Sequence, residues 1–150
     1  SAERVRYLVE TSSDWVWEVD ATGTYTYCSP KVAEILGYES EEILGKTPFD
    51  LMPPGEAQRV GEIFGKIAAA KAPFSCLENT NYHKDGRLVV LETSAVPIFS
   101  PDGAFRGYRG MDRDVTERHR VEEILRLQQR ALAECSQTTR LFTSIKRLNG

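Results

Sequence analysis

The hydrophobic period of this chain changes twice, and where it changes limits the fold. In "WVWEVD" Trp15, Trp17 and Val19 fall on one face and Val16, Glu18 and Asp20 on the other, the period of a half-buried strand. "ATG" supplies a turn and "TYTYCS" alternates again, which predicts a β-hairpin. After Pro73 the period of two returns: strands are predicted over 74–83, 88–98 and 105–115, with turns at "HKDGR" and "SPDG". Between the two strand groups the spacing is helical. A helical block inserted once between strands, rather than alternating with them, predicts an α+β domain on an antiparallel sheet.

The helical block has its own punctuation. Ser29 before Pro30 reads as an N-cap, and "PKVAEILG" stops on Gly37. In "SEEILG" Ser40 caps, Ile43 and Leu44 pack and Gly45 stops. "PFDLMPP" holds too much proline for a long helix. Over 55–71, Val60, Ile63, Phe64 and Ile67 form one apolar stripe, and Gly61 and Gly65 weaken the helix or let a neighbour approach. Val5, Leu8 and Val9 predict a short amphipathic helix over 3–12, and one long helix is expected from Glu117 to about Leu148.

Several function classes are set aside by what the 150 residues contain. A net charge of -3 with mixed signs gives no field for nucleic acid. The apolar runs are too short to cross a membrane, and the opening residues do not read as a signal peptide, so no direct membrane contact is expected. Cys28, Cys76 and Cys135, widely spaced and odd in number, fit a reducing compartment and read as small buried or half-buried hydrophobes. His83 and His119 stand alone as surface histidines. There is no supported Ser/His/Asp set, no G-x-x-x-x-G-K-[ST] and no H-E-x-x-H, so no enzyme is expected in this segment. A cytoplasmic location follows, within a protein that could itself be membrane-attached.

Taken in order, "DWVWEVDATGTYTYCSPKVAEILGYESEEILGKTPFDLMPP" and "HKDGRLVVLETSAVPIFSPDGAFRGYRGMDRDVTER" resemble a PAS domain over roughly residues 13–118. The most specific piece is Asp114-Val115-Thr116, followed by Glu117-Arg118. Similar elements close the last strand of PAS domains in bacterial histidine kinases, diguanylate cyclases and phosphodiesterases. The resemblance implies a five-stranded antiparallel sheet of order 2-1-5-4-3, helices on one face and a ligand pocket between them. The expected organisation is an N-terminal helix over 1–12, a sensor core over 13–116 and a helical signalling linker over 117–150.

Physical chemistry gives the joint between strand and linker a reason. Asp114 can accept from the first free N–H groups of the helix, and Glu117 can reach back, so "DVTE" reads as a capping box that also suits the positive helix end. A capped joint transmits rotation where a glycine-rich one absorbs it. Asp114, Thr116, Glu117 and Arg118 are therefore the expected relay, the alternative being that the cap only starts a helix. Beyond it two heptad registers compete, one through Val121, Ile124, Gln128 and Cys135, the other through Val121, Leu125, Gln128, Leu132 and Cys135. A parallel dimeric coiled coil is the natural solution for so narrow a stripe, with a helix folded back on its own domain as the alternative.

For the pocket, Ser75, Leu77, Asn79 and Asn81 are expected on one face of strand 74–83, and by resemblance that face meets the helices. Leu91, Thr93 and Ala95 are the inward set of the next strand. Ser29 sits where the family often has a polar ligand contact. Ser29, Ser75, Asn79, Asn81, Leu91 and Thr93 are thus the candidate ligand contacts, although a one-residue slip would turn both asparagines to solvent. Two inward asparagines imply a polar ligand or ordered water. The family's haem members use a histidine on the long helix, and 55–71 has none. Its light-sensing flavin members use a reactive cysteine, and "GKTPFDLMPP" has none. Non-covalent FAD stays open, as do a small metabolite and no ligand at all; Trp15 and Trp17 read as core rather than stacking platforms. The expected function is a homodimeric sensory module that relays pocket state to an output domain. A ligand-free dimerisation spacer is the alternative.

Overall fold

The structure is a computed structural model and describes residues 3, 4, 8 and 13–149. The chain divides into two units, Ser1–Val115 and Thr116–Gly150. Most of the helix expected over 1–12 lies outside the described residues.

The first unit is built on one sheet of order β2-β1-β5-β4-β3, every pairing antiparallel. Its strands are β1 (Trp15–Val19), β2 (Tyr25–Cys28), β3 (Phe74–Tyr82), β4 (Leu88–Phe99) and β5 (Phe105–Asp114). Between β2 and β3 come α1 (Val32–Leu36), α2 (Ser40–Ile43), a single 3₁₀ turn (Pro48–Leu51) and α3 (Pro54–Ala69). Trp15, Trp17 and Val19 are buried, as the alternation of β1 required, and so are Val89, Leu91 and Ala95 of β4. With Val32, Leu36 and Ile43 from the short helices they form one continuous core.

Local chemistry explains two departures in the helical block. Ser29 does not cap α1: its hydroxyl accepts from Val16 N–H at 2.9 Å, which ties the end of β2 back to β1. The cap of α2 is Glu39 rather than Ser40, in a reciprocal pair with Glu42, and Leu44 is exposed rather than packed. Gly37 does end α1, in the left-handed conformation, and a Cβ there would lie 2.5 Å from the His83 ring. His83 is accordingly half-buried against that turn and not a surface histidine.

The sheet's central glycine has a packing reason. A Cβ on Gly110 would stand 2.5 Å from Cζ2 of Trp17 and 2.8 Å from the Ser94 carbonyl, so the Trp17 indole occupies space that only glycine leaves. On β3 the register breaks. Phe74 pairs with Ala95 and Leu77 with Thr93, so Ser75 and Cys76 together stand opposite Ser94 in a β-bulge. Cys76 takes a positive φ of 57°, and its N–H donates to Ser94 Oγ at 3.0 Å.

The second unit is α4 (Thr116–Asn149), 34 residues with none buried. Its Thr138, Thr139 and Thr143 hydroxyls donate to the carbonyls four residues back. Among the described residues no helix is long and apolar enough to cross a membrane. Cys28 is buried as expected, but Cys76 and Cys135 are exposed.

Candidate ligand cavity

A cavity of about 50 Å³ lies between the sheet and the helical block. Its apolar walls come from both: Trp17 and Tyr25 from β1 and β2, Phe49 from the 3₁₀ turn, Val60 and Phe64 from α3, Phe74 and Leu77 from β3. Phe64 is central to the packing. Its ring stands 5.8 Å from Phe74, 5.2 Å from Tyr108 and 6.3 Å from Phe49, so the stripe read on α3 becomes one side of an aromatic cluster. Two polar devices fix α3 over the cavity. The Tyr108 hydroxyl reaches the Ile67 carbonyl in the last turns of α3 at 3.4 Å and the Ala72 carbonyl just beyond the helix at 2.9 Å. The Glu56 carboxylate accepts from Thr80 N–H at 2.7 Å and is gripped by Arg59, which also donates to the Glu78 carbonyl. That grip, with the Arg59 hydrogen bond foremost, holds the Glu56 carboxyl below its ordinary pKa.

One wall is polar. Asn79, Asn81, Thr93 and Asp112 line it side by side. Asn81 Nδ2 donates to Asn79 Oδ1 at 2.7 Å, and Asn79 Nδ2 donates to Thr93 Oγ1 at 2.8 Å. The Thr93 hydroxyl is hydrogen-bonded in turn to Asp112, which faces it across β4 and β5. From the other side Trp17 Nε1–H donates to Asp112 Oδ1 at 3.1 Å. Burial is the largest influence on this carboxyl and pushes its pKa up to about 7, against the Thr93 and Trp17 hydrogen bonds, which favour the charged form. Burial likewise raises the Cys28 thiol to about 11, which leaves it an unreactive thiol that accepts from Trp15 Nε1–H at 3.1 Å.

The structure sorts the six contacts expected from sequence. Asn79, Asn81 and Thr93 come together on the polar wall. Leu91 is fully buried in the core and does not line the cavity. Ser29 is equally buried but is held by Val16 away from it. Ser75 is exposed on the opposite side of the sheet, because the bulge at 75–76 reverses the alternation there. Trp17 is both core and cavity wall. Asp112 was missed. Its signal was present: Tyr108, Gly110 and Asp112 share one parity on β5, and all three are buried.

The relay positions are less enclosed. Val115 N–H donates to the Val90 carbonyl at 2.9 Å, which continues the sheet to its last residue. Asp114 and Glu117 are exposed, Thr116 is half-buried, and Glu117 pairs with Arg120 at 3.0 Å. On α4 the two candidate seams stay open: Val121 is 46% exposed, Ile124 48%, Leu125 52% and Leu132 71%, with Gln128 and Cys135 exposed beside them. Among the described residues no group of His, Cys, Asp and Glu could hold a metal ion.

A sheet of this order, closed on one face by short helices over a small mixed cavity, is the architecture of the PAS class. The PAS fold family model matches residues 9–120, and the chain belongs to that family. Among curated relatives it is 24% identical over 119 residues to the nitrogen fixation regulatory protein of Klebsiella pneumoniae, covering 79% of this chain and 24% of that one. The chain thus spans less than a quarter of that relative's length. Among solved structures it is similar to a sensory box histidine kinase/response regulator from Burkholderia thailandensis, with 23% identity, a TM-score of 0.69, and coverage of 87% of this chain and 98% of that one. The N-terminal domain of a diguanylate cyclase with PAS/PAC sensor from Marinobacter aquaeolei matches with a TM-score of 0.64 at 17% identity, covering 71% and 98% respectively.

Proposed function

We propose that residues 13–116 are the sensory core of a larger signalling protein and that residues 117–150 are its output linker. The core binds a small molecule between sheet and helices, and its state passes through Asp114, Thr116, Glu117 and Arg118 into a helix paired with that of a second copy. The core is a sensory module and not itself catalytic. The observation that carries the reading is the polar wall. A cavity meant only for packing would be filled by apolar side chains, yet four buried polar residues line this one and are kept satisfied there.

The open apolar stripe of α4 supports the pairing. A 34-residue helix with no buried residue gains most of its stability from a partner surface. The seam runs through Val121 and Gln128 with either Ile124 or Leu125 and Leu132, and through Cys135. The output domain, by likeness to the relatives, is of the histidine kinase or cyclase kind. Haem and flavin are not expected as residents: a volume of about 50 Å³ is far below the roughly 300 Å³ at which drug-sized sites begin.

Native mass spectrometry of the purified chain tests both parts. A dimer carrying a small bound species is expected. A dimer that is empty in every preparation would instead favour the ligand-free spacer, and a strict monomer would remove the output mechanism.

A further inference from the structure

The polar wall has a direction. Both N–H bonds of Asn81 Nδ2 are engaged, by Asn79 Oδ1 and the Asn79 carbonyl, and both of Asn79 Nδ2, by Thr93 Oγ1 and the Leu77 carbonyl. The single O–H of Thr93 and the single N–H of Trp17 go to Asp112. Every side-chain donor of Trp17, Asn79, Asn81 and Thr93 is therefore used within the protein. Acceptors remain over: a carboxylate offers about four lone-pair sites, and the protein fills two at Asp112. Asp112 is 5% exposed, and no cationic side chain pairs with it among the described ion pairs. A buried, unpaired carboxylate is costly, and a cation brought beside it removes that cost. Tyr25 and Phe64 line the same cavity as aromatic side chains, a residue type that attracts positive charge.

We propose, building on the sensory reading, that the cavity takes a compact planar cation of the amidinium or guanidinium kind, its N–H edge on the Asp112 carboxylate and its body against Trp17, Tyr25 and Phe64. While Asp112 is ionised it rejects an anion, and a neutral acceptor finds the wall's amide and hydroxyl donors already engaged.

Acetamidinium, acetamide and acetate test this, being alike in size and differing in charge and donors. Each is titrated into the 150-residue chain while the Trp17 indole N–H and the Asn81 side-chain amide are followed by NMR. Acetamidinium is expected to shift both saturably, at least tenfold more tightly than acetate, and Asp112→Asn to abolish that preference. A second measurement needs no variant: the native chain should show the preference at pH 8 and lose it at pH 5.5, where Asp112 holds its proton. The other titratable groups turned toward Asp112 are Asp14 ahead of β1 and Tyr25 and Cys28 of β2; Cys28, at about 11, and Tyr25, raised well above its ordinary value by burial, do not titrate in that range. Tighter binding of acetamide or acetate, or a preference that persists in Asp112→Asn or at pH 5.5, overturns the cation assignment while leaving the sensory reading in place. No saturable shift of Trp17 with any of the three likewise overturns the cation assignment, while the bound species sought by native mass spectrometry decides the ligand-binding reading separately.

Discussion

Two amphipathic helices of this protein meet opposite fates. On α3 the stripe of Val60, Phe64 and Ile67 is covered: Val60 is buried, and Phe64 packs against Phe49, Phe74 and Tyr108. On α4 a weaker apolar stripe, interrupted by Gln128, has nothing buried, with Leu132 and Phe142 each 71% exposed. Hydrophobic pattern separates them in degree, α3 being the more apolar of the two. They differ in kind in that α3 is clamped to the sheet by Glu56, Arg59 and Tyr108 and closes a cavity. One helix spends its apolar face on the fold, and the other keeps it for the proposed partner. Stability and output are in this way assigned to different parts of the chain, and substitutions should separate them.

The largest effect belongs to the core. Trp15 is fully buried and donates to Cys28, so Trp15→Ala should cost about 3–5 kcal/mol in urea unfolding. A loss below about 1 kcal/mol would mean that the buried stripe of β1 does not anchor the fold.

A smaller but signed effect comes from Asp112. Its folded pKa, about 7, lies above the ordinary 3.8, so the folded state holds the proton more tightly than the unfolded one. The stability it contributes is complete below about pH 4 and is lost as pH rises through 7, by up to a few kcal/mol at about 1.4 kcal/mol per pH unit. Thermal unfolding from pH 4.5 to 8.5 should show that loss, and Asp112→Asn should flatten it. A variant profile as steep as the wild type would place the titration elsewhere.

The clamp on α3 ranks next. Glu56→Gln keeps an acceptor for Thr80 but removes the charge that Arg59 grips, and should cost about 1 kcal/mol. The smallest effect on stability is expected on α4. Leu132→Asp should leave the unfolding midpoint of the first unit within about 0.5 kcal/mol of wild type. In sedimentation it should nevertheless abolish the dimer. A fall in stability as large as that of Trp15→Ala would erase the distinction between the two helices.

The inward faces of β1 and β4 could be read from sequence because Trp15, Trp17, Val19, Leu91 and Ala95 obey an unbroken period of two, whereas the strand order followed only from the resemblance to PAS domains. Ser75 was misplaced because a bulge inserts a residue without leaving a mark in the pattern: Cys76 with a positive φ is not something its neighbours announce. Ser29 was read as a helix cap from its local context, whereas its partner, Val16, is thirteen residues away across a strand pair. Asp112 was overlooked for a related reason. Burial of a carboxylate reads from sequence as a surface charge, and only the meeting of β5 with Thr93 and Trp17 gives it a place inside. Sequence carries periodicity well and long-range polar partnership poorly.

The account depends on the cavity and the pairing of α4 being coupled. The direct measurement is disulfide crosslinking in a Cys76→Ser, Cys135→Ser background, with single cysteines replacing Val121, Ile124, Leu125, Gln128 or Leu132. It is made once with the native cavity and once with Thr93→Ile filling it. Coupling predicts that the efficient positions move between the Ile124 register and the Leu125–Leu132 register when the cavity is filled. The same crosslinking pattern in both proteins would contradict it.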